Sequence, residues 1–459
     1  MTVAGERKAQ GTPPAVTPVQ EVLCRLVADS LYPGGDNQPL PPDTDWNAVL
    51  TESQLQGVTA IAFANCKGGT LPPPVASRIR PLLGRAMQRN ARIHALLTHL
   101  HTLLTEGARQ AGGEAIPYCI LKGSASAFYY PQPLLRTMGD VDFLVDRSDI
   151  RRVAGLLTAD GFVFRGGDRE VEEKDLDGRY DLVFDKPGTI LEMHVEPSGI
   201  PEGPVGARIR EMLADMIPTA TCASGELGTF MNPDRMHHGL VLLMHMVHHL
   251  QAGGFGLRHL CDWAVYAHAL TEGQVEEEIQ PACAWVGLWD LAETVTRTAV
   301  RHIGLPRPAW LDIGGTEAEE VADALFLDIL AGGNLGQKDG ERVHEGLFIS
   351  TGHTPGKQKS RLRQGFDTLN RMAYSRWPLT RKVKLLLPAG WVCVLTTRLC
   401  QTLTGRRRAV HVLRAYAGSR GRQELYDSLR LYQAEEPEKG DRNDRRKSRN
   451  NKSKREGKR

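Results

Sequence analysis

The sequence predicts an α/β core with a mixed sheet, flanked on both sides by all-helical segments. Short apolar runs alternate with a helical pattern across residues 116–197. By contrast, residues 46–112 and 233–330 carry apolar residues at the spacing of amphipathic helices. Hydrophobic residues make up 41% of the 459-residue chain and charged residues 24%, which excludes a fully disordered or fibrous protein. We therefore expect several folded units.

Composition and periodicity divide the chain into units, and the apolar runs place the elements of the core. The predicted units are a disordered leader (1–18), a helical lead-in (19–112), the α/β core (113–225), a helical domain (226–330), a glycine-rich loop (331–360), a C-terminal helical segment (361–432) and a basic disordered tail (433–459). Within the core we predict strands at Ile116–Leu121, Val141–Val145, Leu182–Phe184 and Ile190–Val195, and a helix over about Ser148–Ala159. Pro187 and Gly188 separate the last two strands, so these form an antiparallel hairpin and the sheet is mixed.

The basic character of the chain is concentrated in its tail. The formal net charge is +3, but residues 439–459 contain eleven Lys or Arg and three Asp or Glu, a net charge of +8. A solvated tail is the simpler interpretation, and contact with RNA, DNA or an anionic surface is the alternative.

Cysteine spacing and the lengths of the apolar runs indicate in which cellular compartment we expect the protein. The eight cysteines are widely spaced without a CxxC pair, which argues against a zinc ribbon or a dense disulfide framework. The N-terminus has no apolar segment typical of a signal peptide. The longest uncharged apolar stretch, Leu385–Thr397, is shorter than the roughly 20 residues of a membrane span. We expect a cytoplasmic protein with reduced thiols and no transmembrane segment.

Two carboxylates in the core predict a metal site. Asp140 and Asp142 are two residues apart in a strand-forming run, so we expect them to share one strand face about 7 Å apart. Repulsion between them favours a hard divalent cation, Mg²⁺ or Mn²⁺, held together with substrate phosphates. Glu192 lies on a later strand that can bring a third carboxylate to the pair, the arrangement of two-metal phosphoryl transfer.

Residues that follow the first core strand predict an anion site. Lys122, Gly123 and Ser124 lie between that strand and a predicted helix, where a sharp turn, free N–H groups and a hydroxyl can contact phosphate. The alternative for such a turn is an ordinary helix cap. His194 shares a strand face with Glu192, and it either orients that carboxylate or packs in the core.

Several histidines suggest a second metal site, which we consider the weaker interpretation. His245 and His249 have the i, i+4 spacing of zinc ligands. However, the sequence has neither an HExxH motif nor an HD dyad, so we favour a polar contact between units, with His245 reaching Asp262 or Arg258. The GxSxG, P-loop and GxGxxG motifs are also missing, which argues against serine hydrolases, P-loop ATPases and Rossmann enzymes.

Taken together, the motifs resemble a known family. They are LKG at 121–123, YP at 130–131, Arg136, GDVDFLV at 139–145, LEMHV at 191–195, His245 and LRHLCDWA at 257–264. In this order and spacing they are similar to the uncharacterised nucleotidyltransferases of the polymerase-beta-like nucleotidyltransferase superfamily. The chain departs from the family pattern at EMHV, where the pattern has ELHW, and at RHL, where it has RWL.

The resemblance implies an enzyme and assigns roles to these residues. Asp140 and Asp142 would be metal ligands, Glu192 the third carboxylate and a candidate base, and Gly123 and Ser124 would contact the triphosphate. Lys122 and Arg136 would neutralise phosphate charge, and their alternatives are a solvated lysine and a structural Arg–Asp pair.

The implied reaction uses Mg²⁺ or Mn²⁺ and a nucleoside triphosphate such as ATP, moves a nucleotidyl group to an acceptor and releases pyrophosphate. The acceptor stays open among a small molecule, a peptide or protein, and RNA. Two alternatives also stay open: a catalytically silent nucleotide-binding regulator, and an RNA-directed, toxin-like nucleotidyltransferase.

Overall fold

The computed structural model describes residues 15–34, 39–66, 71–167, 170–172, 175, 181–338, 342, 369–370, 373–374, 377, 379–403 and 422–433. Most of the predicted leader, of the glycine-rich loop and of the C-terminal tail lies outside these residues, as does part of the C-terminal helical segment. The first residues of the predicted loop are helical, because a helix continues to Gly332 and a 3₁₀ turn follows at Asn334–Gly336.

Helices precede the sheet, as the apolar periodicity predicts. They are α1 (Pro18–Leu31), α2 (Trp46–Gln56), α3 (Thr59–Ala64) and α4 (Pro73–Thr102), which continues through a π-helical turn (Leu103–Gly107) into α5 (Ala108–Gln110). Thr17 caps α1 in a capping box with Gln20, and Asp45 caps α2. Helix α1 thus begins at the last residue of the predicted leader, and most of that leader lies outside the described residues.

Five strands of the described residues form one mixed sheet, which confirms the predicted architecture. They are β1 (Tyr118–Ile120), β2 (Val141–Val145), β3 (Val163–Phe164), β4 (Asp181–Lys186) and β5 (Thr189–His194). Their order is β1-β2-β5-β4-β3, and only the β2–β5 pair is parallel. This pairing sets Asp142 beside Glu192 and Leu144 beside His194. The β4–β5 turn contains Gly188 at φ +83°, a backbone conformation that favours glycine.

Shorter elements and a helical layer complete the fold. The sheet connections contain α6 (Ser124–Ala127), α7 (Ile150–Ala159) and 3₁₀ turns at Pro133–Leu135 and Arg147–Asp149. After the sheet come α8 (Pro204–Leu213), β6 (Thr221–Gly225), β7 (Gly228–Asn232), α9 (Arg235–Ala252), α10 (Leu257–His268), α11 (Glu272–Gln274), a π-helical turn (Val275–Ile279), α12 (Gln280–Val286), α13 (Trp289–His302) and α14 (Thr316–Gly332). Strands β6 and β7 form a separate antiparallel hairpin. The predicted boundary at residue 225 lies within this hairpin, because Gly225 pairs with Gly228.

Two hydrophobic cores meet along α4. Its first half contributes Val75 and Ile79 to a core that the helices share. Its second half contributes Ile93 and Leu97 to a core beneath the sheet. One continuous helix therefore connects the helical layer to the sheet.

The apolar stretch near residue 390 belongs to a helix that is too short or too polar to cross a membrane. Helices α15 (Leu379–Lys382) and α16 (Leu387–Leu403) flank a 3₁₀ turn (Lys384–Leu386). Within the described parts of the chain, no helix combines the length and apolarity that a membrane span requires.

Candidate active site

A pocket of about 280 Å³ opens between the sheet and helices α9 and α10. The sheet side is lined by residues that the motifs single out, and the helical side by histidines and an arginine. The residues that line the pocket include Lys122, Gly123, Arg136, Asp140, Asp142, Glu192, His194, His245, His249, Arg258, His259 and Asp262.

The parallel pairing of β2 and β5 builds a cluster around Asp142. The Asp142 side chain is almost fully buried, and its Oδ1 lies 3.0 Å from Lys122 Nζ and 3.0 Å from His194 Nε2. The same His194 nitrogen is 3.8 Å from Glu192 Oε2. One potential ligand atom from each of Asp142, Glu192 and His194 lies within 4.8 Å of the others. We call these three residues the carboxylate cluster.

Charges in the carboxylate cluster act strongly on one another. Burial alone would raise the pKa of Asp142, but the Lys122 ammonium and a hydrogen bond from His194 hold it well below its usual range. Burial and the negative charges of Asp142 and Asp140 raise the pKa of Glu192 to about 8. A pKa of about 8 leaves Glu192 largely protonated at neutral pH, because Lys122 alone does not balance two ionised carboxylates at this point, and a further cation would favour the ionised form.

Asp140 occupies a different position from the one the strand pattern predicts. It lies one residue before β2 and is exposed, whereas Asp142 is inside the strand. The compact set of ligand atoms contains His194 and not Asp140. Asp140 nevertheless lines the pocket and contributes to the raised pKa of Glu192. A carboxylate at this place faces the same space as the carboxylate cluster.

Lys122 and Gly123 line the pocket, and Lys122 is mostly buried in an ion pair instead of being a solvated lysine. Its ammonium is paired with Asp142, and the charges of Asp142 and Asp140 raise its pKa against the opposing effect of burial. Gly123 adopts φ +64°, which lets the chain leave β1 sharply and start α6. The turn thereby places Lys122 against Asp142.

The side chains of Ser124 and Arg136 bond to protein groups instead of being free for the phosphate contacts that the sequence predicts. Ser124 is buried, and its hydroxyl donates to Met138 Sδ at 3.4 Å, so it does not offer the group to a phosphate. The guanidinium of Arg136 is buried and donates to both carboxylate oxygens of Asp262, at 2.9 and 2.7 Å. Tyr130 also donates to Asp262, at 2.7 Å. The structural Arg–Asp pair, the alternative for Arg136, is the arrangement observed.

Three imidazoles meet on the helical side of the pocket. His245 Nε2 lies 3.1 Å from His249 Nε2, and a ring nitrogen of His259 is within 4.8 Å of both residues. His245 thus contacts His249, not Asp262 or Arg258 as the sequence suggests. Burial and neighbouring positive charge lower the pKa of His249 to about 3 and those of His245 and His259 well below their usual range. All three rings are therefore neutral at neutral pH.

The donor set of the carboxylate cluster fits a divalent cation. Two carboxylates are hard oxygen ligands of the kind that Mg²⁺ and Mn²⁺ prefer, and an imidazole nitrogen is more typical of Mn²⁺ and other transition metals. The Lys122 ammonium already contacts Asp142, which shows that a positive charge is stable at this point. Asp140 adds a further carboxylate at the pocket rim.

Two residues of the site have contacts that the sequence does not predict. The strand pattern predicts that His194 and Glu192 share a face, but the hydrogen bond between His194 and Asp142 depends on the parallel β2–β5 pairing, which local sequence does not specify. Arg258, which the sequence predicts only as a partner of His245, lines the pocket itself. Its position one helical turn before Asp262 in LRHLCDWA is a signal that places it near this site.

Comparison with known proteins identifies the family. The family model of uncharacterised nucleotidyltransferases matches residues 42–300, more than half of the chain. Neither the curated proteins nor the solved structures compared with the chain include a match. The matched region contains the whole five-stranded sheet and helices α9 and α10, and hence every pocket residue named above. The resemblance seen in the motifs is confirmed, and the chain belongs to the family of uncharacterised nucleotidyltransferases.

Proposed function

We propose that the protein transfers a nucleotidyl group from a nucleoside triphosphate to an acceptor, with Mg²⁺ or Mn²⁺, and releases pyrophosphate. The observation that carries this proposal is the carboxylate cluster, which faces a pocket in a chain of a nucleotidyltransferase family. Two carboxyl groups that share one lysine ionise together more readily when a cation is present, so the cluster suits a metal–triphosphate complex better than a free anion.

The proposed roles follow from position. Asp142, Glu192 and Asp140 would hold the cation, and His194 would orient Asp142 through its 3.0 Å hydrogen bond. When bound, the cation supplies neutralisation of triphosphate charge. A bond forms between the acceptor oxygen and the α-phosphorus, the bond from that phosphorus to the α,β-bridging oxygen breaks with pyrophosphate as the leaving group, and ionised Glu192, the candidate base, would take the acceptor's proton.

Lys122 has a different role in this proposal from the one suggested by sequence. In the structure its ammonium balances Asp142 at 3.0 Å, so we assign it to the cation-free state of the pocket. Asp142 would hold a divalent cation in competition with Lys122, because both positive charges would be attracted to the same carboxylate. Lys122 therefore prevents the buried acid from standing unpaired between catalytic cycles.

The carboxylates also argue against a catalytically silent protein. Asp140, Asp142 and Glu192 all line one pocket. Burying Asp142 beside Glu192 costs stability, since each charge disfavours the other. Such a cost is typical of functional sites.

The experiment is pyrophosphate release from each of the four nucleoside triphosphates with Mg²⁺. Acceptor fractions of small metabolites, peptides and RNA are supplied separately, which also addresses the acceptor. Asp142→Asn serves as the inactive control, and Asp185→Asn, an acid on β4 outside the pocket lining, as the matched active control. Release that depends on an acceptor and on Asp142 supports the proposal, and release that is equal in wild type and Asp142→Asn contradicts it.

A further inference from the structure

The helical side of the pocket differs in charge from the sheet side. It is formed by His245 and His249 on α9 and by Arg258 and His259 on α10, and we call these four residues the Arg–His wall. Negative groups of the carboxylate cluster stand on the opposite side of the same cavity. The pocket thus has an acidic face and a face that carries a cation and hydrogen-bond donors.

Arg258 differs from the other basic residues that line the pocket. Lys122 is paired with Asp142, whereas Arg136 donates from Nε and Nη2 to Asp262 and from Nη1 to the Thr137 carbonyl oxygen. Arg258 is half-buried, and its Nε is buried without a hydrogen-bond partner among the described residues. Leaving a buried charged donor unsatisfied costs free energy, which a bound acceptor would recover.

Two of the imidazoles have buried ring nitrogens without a hydrogen-bond partner in the described part of the chain. His259 is only 3% exposed, and neither of its ring nitrogens has a partner among the described residues. His245 Nδ1 is buried and unpartnered as well. Because a neutral imidazole carries one N–H, His259 retains an unused donor beside Arg258.

The positive charges near the Arg–His wall favour a bound anion over a bound metal ion. Lys122 acts electrostatically on His245 and His249, and Arg258 acts on His249 and His259. A dication bound to the three imidazoles would be repelled by these two cations, whereas phosphate oxygens would be attracted. Arg258 is also the second residue of a twelve-residue helix, whose positive dipole end adds to the attraction.

We propose that the Arg–His wall binds the phosphate oxygens of a polyphosphate chain, with Arg258 as the main ligand and His259 as a further donor. This inference rests on the proposed function for the identity of that chain, the triphosphate of the substrate nucleotide. A cation on the carboxylate cluster and the wall on the other side would hold the phosphates between them. The leaving pyrophosphate would then depart from Arg258.

Binding of inorganic tripolyphosphate to the full-length protein in the presence of Mg²⁺ tests this inference. Isothermal titration calorimetry should show binding about 10- to 100-fold weaker in Arg258→Met, the range that a hydrogen bond to a charged group contributes. Arg258→Lys retains the charge without the planar fork and should lie between the two. His259→Phe should weaken binding about two- to tenfold.

The matched control is Arg210→Met, which removes the same charge from an exposed pair with Glu196 outside the pocket lining and should bind as wild type does. Thermal denaturation checks the folding of each variant. If Arg258→Met does not fold, Arg258→Lys and His259→Phe decide the matter.

Two results would overturn the inference. One is tripolyphosphate affinity that is unchanged in Arg258→Lys and in His259→Phe. The other is tight Co²⁺ or Zn²⁺ binding that His259→Phe abolishes and Asp142→Asn leaves intact, since this would make the wall a metal site.

The inference and the proposed function can fail separately. Arg258-dependent tripolyphosphate binding without turnover of any nucleotide supports the wall and contradicts nucleotidyl transfer. Nucleotide turnover combined with binding that is indifferent to Arg258 contradicts the wall alone.

Discussion

The pocket contains two buried ion pairs, Asp262 with Arg136 and Asp142 with Lys122, which differ in the groups that surround them. Asp262 receives two hydrogen bonds from Arg136 and one from Tyr130, so one negative charge meets one positive charge and several donors. Asp142 forms an ion pair with Lys122 and a hydrogen bond with His194, but a second acid, Glu192, lies beside it on the neighbouring strand. The balanced pair is suited to holding α10 against the sheet side. The Asp142 pair has a second carboxyl group beside it, which a cation would ionise, and is therefore suited to binding a metal ion.

The largest expected effect comes from removing the charge of Asp142. Asp142→Asn should lower nucleotide turnover at least about 1000-fold, since metal-based charge stabilisation is worth several kcal/mol. The free energy of unfolding should change by only about 1 kcal/mol, because the amide keeps the shape of the side chain and Glu192 and Asp140 stay near Lys122 to balance its charge. Turnover and thermal denaturation measured on one preparation check both parts. Retained turnover would remove Asp142 from the site.

Breaking the balanced pair should reverse this pattern. Asp262→Asn leaves the Arg136 guanidinium buried without its counter-charge, and the free energy of unfolding should fall by about 3–5 kcal/mol. Replacing both partners, as Arg136→Met with Asp262→Leu, should restore much of that loss because no charge then stays buried. Urea denaturation of the single and double variants measures the difference. A single variant as stable as wild type would contradict a structural role for the pair.

A smaller effect is expected at Lys122. Lys122→Met removes the positive charge that competes with a divalent cation for Asp142, so Mn²⁺ or Mg²⁺ binding without nucleotide should become about tenfold tighter. Calorimetry on the nucleotide-free protein gives this affinity. Weaker binding would mean that Lys122 organises the cation site instead of occupying it.

The smallest effect is expected at Ser124. Its hydroxyl is directed at Met138, so Ser124→Ala should change the KM for the nucleotide by less than about twofold. Steady-state kinetics with the preferred nucleotide measures it. A large rise in KM would instead support the phosphate contact that the motif suggests.

The sequence predicted β1, β2, β4 and β5 because apolar runs and turn residues are local features of the chain. Alternating apolar runs and the Pro187–Gly188 turn predicted the hairpin, and the structure contains β4 and β5 on either side of that turn. The strand ends differ by one or two residues, as at Tyr118–Ile120, where the apolar run is longer than the hydrogen-bonded ladder. The ladder of β2 begins one residue after Asp140, so that residue lies just before the strand, although it lines the same pocket as Asp142.

The remaining features of the site depend on contacts that are distant in sequence. Residue type alone could not decide whether Arg136 faces a phosphate or Asp262, because Asp262 lies 126 residues further along the chain. Nor could it show that Lys122 and His194 share one oxygen of Asp142, since this needs β5 to pair with β2 in parallel. The motifs predicted most of the residues that line the sheet side of the pocket. Packing determines which of their side chains are left unpaired and able to bind a ligand.

The most direct test of nucleotidyl transfer compares two positions of the label in one nucleotide. The protein is incubated with Mg²⁺, an acceptor fraction and a nucleoside triphosphate labelled either at the α-phosphate or at the γ-phosphate. The account predicts that the α-label enters the product, that the γ-label leaves in pyrophosphate, and that both changes are lost in Asp142→Asn. A γ-label in the product would show phosphoryl transfer, and a γ-label released only as orthophosphate would show hydrolysis. Either result would contradict the account.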